Sequence, residues 1–202
     1  MPLDIRPHNS APSQGQSAYS VRWALPILAE NNVARVADYG CGRFRNLKIL
    51  QNEFDEVDLI ELPAQVKRIK ELLPSSNSLK LFSSDEFLNS SKKYDAIFLI
   101  SVLHTMPSII MRRHILRRCG EKLKKGGFLI IDVPQSETYY LRRQREFRPY
   151  KDGWLMKRGN SYTFYKNYYS EELDDMTEKC ASCKIYKKVR YCKHLIRIWQ
   201  KA

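Results

Sequence analysis

Three carboxylates, two glycines and one histidine carry the chemical information in this chain. Asp38, Gly40 and Gly42 fall in RVADYGCGRFRN, residues 35 to 46, where an apolar run meets a glycine turn and then a helix-like stretch. Glycines there let the backbone bend sharply and come close to a ligand where a Cβ would intrude, and the helix behind them offers free N–H groups. A dinucleotide is the first ligand to test. Its pyrophosphate fingerprint requires glycine at positions 40, 42 and 45, yet residue 45 is Arg, and the Asp38 carboxylate before the turn would repel a pyrophosphate. A carboxylate in that place favours a ligand that carries an ammonium group. Glu61, roughly 20 residues beyond the turn, is spaced to accept both hydroxyls of a ribose. Asp85 closes a third apolar run on the same rim, and His104 closes a fourth, where it is the best-placed acceptor of a proton. Taken singly, each acid reads equally as a solvated loop or helix-capping residue, and His104 as a packed strand-end histidine. Their common register with the glycines sets them apart.

The elements that must position these residues follow from hydrophobic periodicity. After a polar arm, residues 17–30 read as an amphipathic helix containing Pro26, so that 1–30 forms an arm and helix. ARVADYG is a buried strand, RNLKILQNEF a helix with Leu47 and Leu50 at helical spacing, and VDLIEL a second strand. AQVKRIKELL is a helix that places Val66, Ile69, Leu72 and Leu73 on one face. LKLFSS is a short third strand, YDAIFLISVLH a long fourth, SIIMRRHILRRCGEKLK a basic amphipathic helix, and GGFLIIDVP a fifth strand. Residues 135–168 form an aromatic and basic insertion without a clean period, followed by a helix, SEELDDMTEKCA, that opens on Ser170. KIYKKVRYCKHLIRIWQKA closes the chain as two strand-like runs. This alternation predicts one α/β domain over 1–202: a doubly wound, mostly parallel seven-stranded sheet with helices on both faces and an antiparallel C-terminal edge hairpin. Ligands of such sheets sit at the carboxyl ends of the strands.

The ordered series DYGCG, VDLIE, SSDEF, YDAIFLISVLHTMP and LKKGGFLIIDVP, spanning about residues 35 to 135, resembles the class I S-adenosylmethionine-dependent methyltransferase family. The resemblance implies S-adenosylmethionine as cofactor. It also implies that Asp38 and the Gly40–Cys41–Gly42 backbone hold the methionine portion and that Glu61 with Leu62 holds the ribose. Asp85 with Glu86 would then meet the adenine, and Ser101 would face the cofactor from the fourth strand. One departure stands out: the family often has a third glycine where this chain has Phe44, whose ring must point away from the cofactor or reshape the start of the helix. The fourth motif, ISVLHT, lacks the Asn/Asp-Pro-Pro-aromatic segment of the exocyclic-amino enzymes, and no Pro-Cys dipeptide supplies the nucleophile of the cytosine C5 enzymes. SVLHTMP looks more like the small-molecule branch, which implies in-line transfer to a small, anionic or aromatic acceptor. His104 is the candidate base, and Tyr19, Tyr139 and Trp154 lie on the substrate side.

Composition leaves a second partner open. The formal charge is +13, and basic residues interleave with Tyr139, Tyr140, Phe147, Tyr150 and Trp154 in the insertion, a pattern that suits phosphate contacts with base stacking. It equally suits a lid that packs aromatics over a cofactor. A nucleic-acid methyltransferase, or a catalytically silent nucleic-acid-binding module, is therefore the alternative reading. No run approaches the roughly 18 apolar residues of a membrane span, and the N-terminus lacks the apolar stretch of a signal peptide, so a cytoplasmic protein without a membrane partner is expected. Five cysteines scattered among helical and strand patterns point to reduced thiols. Cys180, Cys183, Cys192 and His194 have zinc-like spacing, but a strand between the two pairs would hold them more than about 20 Å apart, so no metal is expected. None of these features sets the oligomeric state.

Overall fold

The computed structural model describes residues 3–6, 17–135 and 147–202. Its centre is a seven-stranded sheet in the order β3-β2-β1-β4-β5-β10-β9. The first five strands are parallel: β1 (Arg35–Tyr39), β2 (Glu56–Glu61), β3 (Leu79–Ser83), β4 (Tyr94–Ile100) and β5 (Leu123–Pro134). β10 (His194–Lys201) runs antiparallel beside β5, and β9 (Cys183–Tyr191) runs antiparallel beside β10 as the edge strand. This is the predicted doubly wound sheet with its C-terminal hairpin. Strands β1, β2 and β4 are almost wholly buried, as strands covered on both faces must be, and β1 and β2 carry Asp38, Asp58 and Glu61 inward among their apolar residues.

Helices sort onto the two faces by their apolar stripes. On one face α1 (Tyr19–Glu30), α2 (Leu47–Glu53) and α3 (Pro63–Ile69) insert Val21, Leu28, Leu50 and Ile69 into a core with Val36, Leu59 and Phe98. On the other, α4 (Ser84–Asn89), α5 (Ile109–Lys122) and α6 (Ser170–Ala181) supply Phe87, Ile115, Leu116 and Leu173 to a core with Ile97, Leu129 and Trp199. α1 runs through Pro26 because that residue lies on its exposed face, where water can take over the lost backbone bond. α5 and α6 approach so closely that a Cβ on Gly120 would overlap the Ala181 carbonyl oxygen.

Several local expectations are corrected. The helix after β2 tightens to a 3₁₀ turn at Lys70–Leu72, which shifts the phase of its apolar positions, and Leu72 is left exposed rather than sharing a face with Ile69. On the basic amphipathic helix, Arg112 is fully buried and bonds the Met106 carbonyl and Asp152, while the Lys122 amine turns to the Ser90 carbonyl. The last helix does open on Ser170 as expected, with Tyr169 in the cap position and the Ser170 hydroxyl accepting from Arg197 at 2.6 Å. The aperiodic insertion contains a separate antiparallel sheet of β6 (Phe147–Tyr150), β7 (Gly153–Arg158) and β8 (Ser161–Tyr165), to which Ile5 adds a bridge at Tyr162. Among the described residues no helix is long and apolar enough to cross a membrane.

Candidate functional site

β1 lies between β2 and β4, and the chain reverses its direction of winding there, which opens a crevice at the strands' carboxyl ends. A cavity of about 590 Å³ fills that crevice. The glycine turn forms one wall. Gly40 and Gly42 have φ of +79° and +58°, and a Cβ on Gly40 would run into the Val102 side chain, so both the conformation and the space call for glycine at residue 40. The Gly40 and Cys41 N–H groups both donate to the Ile60 carbonyl, at 2.8 and 3.1 Å, which ties the turn to the end of β2.

Asp38 sits beneath this turn, 1% exposed. One of its oxygens accepts from the Asn46 side chain at a long 3.5 Å, and the other, Oδ1, is buried without a partner among the described residues. Burial without compensating bonds pushes its carboxyl up to about 7. Glu61, at the end of β2, accepts from the Gly42 N–H at 2.9 Å and the Leu62 N–H at 2.8 Å, and burial raises it as well. Four lone-pair positions on a carboxylate leave Glu61 room for further donors. Arg43 and Arg45 follow on the turn and face the cavity, and neither has an ion pair within 4 Å among the described residues. Arg45 lines the cavity and Asp38 lies behind the lining, so the turn offers a guanidinium to a carboxylate and, one layer deeper, an orphaned carboxylate oxygen to an ammonium, a set that fits the amino-acid end of the cofactor that the motif series implies.

Cys41, Leu62 and Ser101 also line the cavity, as does His104. Ser101 turns the chain out of β4 with φ of +59°, and its N–H donates to the Asp132 carbonyl at 2.9 Å. Phe44 retains a left-handed φ of +64° where the family often has glycine, and its ring is buried in the core with Leu47 and Val21 rather than in the cavity wall. The turn through residues 43–46 delays the start of α2 to Leu47. Both consequences expected of a ring at that position are therefore present.

Other expected residues are placed differently. Asp85 does not end β3; it lies exposed in the first turn of α4, outside the cavity lining, because Ser83 and Glu86 form a reciprocal capping box that starts the helix there. Glu86 is thereby occupied, receiving the Ser83 N–H at 2.6 Å. Ser84 and Leu88 are the α4 residues that reach the cavity. His104 lies on a 3₁₀ turn rather than a strand end, since β4 stops at Ile100; its Nδ1 is buried without a partner among the described residues, and burial lowers the ring to about 4. Tyr19 stacks on Tyr191, ring centroids 3.8 Å apart, outside the cavity. Trp154 packs beside Phe147 and Met156, and its register partner Tyr165 faces the cavity instead. Tyr139 lies outside the described residues. Cys183 pairs with Lys201 at one end of the β9–β10 hairpin, and Cys192 occupies the turn at the other.

Sequence reasoning missed Arg45, Asn46, Asp132, His194 and the apolar rim of Met106, Ile110 and Met111. The Arg45–Asn46 pair was legible as the continuation of the glycine turn. His194 was not, because its neighbourhood with Asp132 exists only once β10 docks on β5.

A methyltransferase domain family model matches residues 16–179. The chain belongs to that family, the class I S-adenosylmethionine-dependent methyltransferases whose motif order it carries. No curated protein matches it. Among solved structures it is similar to an S-adenosylmethionine-dependent methyltransferase from Clostridium acetobutylicum ATCC 824, at 18% identity and TM-score 0.69 over 91% of both chains. It is also similar to an amino pentose methyltransferase from Micromonospora echinaspora, at 15% identity and TM-score 0.65 over 91% of this chain and 90% of that one. A third is 1,6-didemethyltoxoflavin-N1-methyltransferase from Burkholderia thailandensis, at 16% identity and TM-score 0.63 over 91% and 79%.

Proposed function

We propose that the chain transfers the methyl group of S-adenosylmethionine in line to a small-molecule acceptor in the cytoplasm, with donor and acceptor sharing the cavity at the ends of β1 and β4. The observation that carries this reading is Asp38, whose Oδ1 is buried just behind the glycine turn without a partner among the described residues, with Arg45, free of ion pairs among those residues, on the cavity side of the same turn. Asp38 would take the donor's ammonium and Arg45 its carboxylate, while Glu61, held by two backbone N–H groups, would accept from the ribose hydroxyls. Ser84 and Leu88, rather than the outward Asp85 carboxylate, would meet the adenine. When bound, S-adenosylmethionine supplies a methyl group on a positive sulfur, and the protein's work is alignment and exclusion of water. Met106, Ile110 and Met111 furnish an apolar acceptor wall, and Tyr165 brings the three-stranded sheet to it, so residues 147–165 act as the acceptor side of one catalytic domain.

Two of the similar structures act, by their names, on an amino pentose and on 1,6-didemethyltoxoflavin, which favours a small acceptor. Five free cysteines favour a reducing compartment. The +13 charge favours a nucleic-acid acceptor as a second reading. Calorimetry with S-adenosylmethionine and S-adenosylhomocysteine tests the donor, and binding by neither would remove the proposal. Transfer of a labelled methyl group to pooled small metabolites is expected; transfer to RNA or DNA with a steep salt dependence would establish the second reading.

A further inference from the structure

Asp132, near the end of β5, and His194, the first residue of β10, form a built pair that donor binding leaves unused. His194 Nδ1 lies 2.6 Å from Asp132 Oδ1, and the Ser20 hydroxyl donates to Asp132 Oδ2 at 2.7 Å. The three residues come from β10, β5 and α1, and antiparallel register sets His194 opposite Pro134, two positions from Asp132. The Asp132 carbonyl also accepts the Ser101 N–H, so the pair is fixed to the end of β4 where the cavity opens. With Nδ1–H directed at a carboxylate, a neutral imidazole carries its free lone pair on Nε2. Such a ring has one orientation and one nitrogen ready to take a proton.

His194 and His104 both line the cavity, and their environments push them apart. Burial holds His104 neutral, and the nearby His194 opposes its protonation further. The hydrogen bond to Asp132 raises His194, against the opposing effects of burial and of Arg45. His114 is the third imidazole among the described residues that line the cavity. Among the described imidazoles facing the cavity, His194 is the one with a carboxylate partner to hold a proton it has just received.

We propose that His194, oriented by Asp132 and Ser20, is the acceptor-side base, and that the acceptor is an aromatic compound bearing a weakly acidic hydroxyl. The inference rests on the methyl-donor reading above. The aromatic body follows from the cavity rim: Ile110 is 75% and Met111 44% exposed, apolar surface that a flat ring would cover beside Met106 and Tyr165. In the step, the acceptor oxygen forms a bond to the methyl carbon as that carbon's bond to sulfur breaks, the electron pair staying with sulfur. The hydroxyl proton passes to His194 Nε2. The positive charge thus moves from sulfur to an imidazolium that rests on the Asp132 carboxylate.

The probe is 4-nitrophenol. Wild-type protein and the His194→Gln and Asp132→Asn variants are saturated with S-adenosylhomocysteine, with binding verified by calorimetry, and nitrophenolate absorbance is followed from about pH 5 to pH 8. Pairing with an imidazolium should make bound 4-nitrophenol ionise roughly one pH unit lower on wild type than on His194→Gln. Asp132→Asn, which keeps the ring and carries the comparison if His194→Gln does not fold, should lose most of that shift. Equal ionisation on wild type and variants, or no binding of 4-nitrophenol to the loaded wild type, overturns the inference. Failure of wild type to bind S-adenosylhomocysteine instead sinks the donor reading. Loss of that binding in His194→Gln alone places His194 on the donor side and overturns only the base.

Discussion

Asn in place of Asp38 keeps the shape of the side chain and removes its charge, so it should raise stability and weaken donor binding together. Burial lifts the Asp38 carboxyl from 3.8 to about 7, and one pH unit corresponds to about 1.4 kcal/mol, so the ionised carboxylate costs about 4 kcal/mol of folding stability near pH 8. The sign follows from proton uptake. Between these two values the folded chain keeps a proton that the unfolded chain has released, so the group's contribution is fully present below the unfolded value and is lost as pH rises through the folded one. Asp38→Asn should therefore be more stable than wild type by about 4 kcal/mol near pH 8 and by about 2 kcal/mol near pH 5, the difference vanishing near pH 3. His104, lowered to about 4, has the opposite sign, since its contribution is lost as pH falls from 6.5 toward 4; it is common to both proteins and cancels. Urea unfolding at the two higher pH values measures the double difference, and calorimetry with S-adenosylhomocysteine measures binding, which should weaken on the order of a hundredfold through loss of a charge-assisted bond. A variant no more stable near pH 8, or one that binds as tightly as wild type, would refute the reasoning.

Phe44→Gly should relieve a left-handed backbone, worth about 1–2 kcal/mol, but lose a buried ring worth about 3–5 kcal/mol. Denaturant melts should show a net loss of about 2–3 kcal/mol, with affinity for S-adenosylhomocysteine unchanged because the ring is turned from the cavity. Gly120→Ala places a methyl against the Ala181 carbonyl where α5 meets α6, and thermal unfolding should report destabilisation of about 2 kcal/mol despite the better helix propensity of Ala.

Much of this architecture was legible because local chemistry and global position agree. β1, β2 and β4 each centre on apolar residues that a sheet covered on both faces buries, and the glycines at 40 and 42 mark the turn that such a sheet uses for a ligand. Glu61 ends β2 as its spacing implied, and its carboxylate faces the turn. Asp85 shows the limit of counting along a strand: a Ser83–Glu86 capping box starts a helix two residues earlier than the motif reading assumed and turns Asp85 outward. The β6–β8 sheet was hidden by an aromatic and basic composition that masks alternation, although Asp152-Gly153 and Gly159-Asn160 are hairpin signals between three short runs. Arg112 could not be read as buried, because its partner Asp152 lies 40 residues away in that sheet. The same holds for His194 and Asp132, which are 62 residues apart and meet only through strand order.

A crystal structure with S-adenosylhomocysteine tests the central claim most directly. The amino group should lie within hydrogen-bonding distance of Asp38 Oδ1, the carboxylate at Arg45, and the ribose hydroxyls at Glu61, with His194 Nε2 facing open space beyond the sulfur. Density for the ligand elsewhere, or Asp38 Oδ1 still without a partner in the complex, would contradict it.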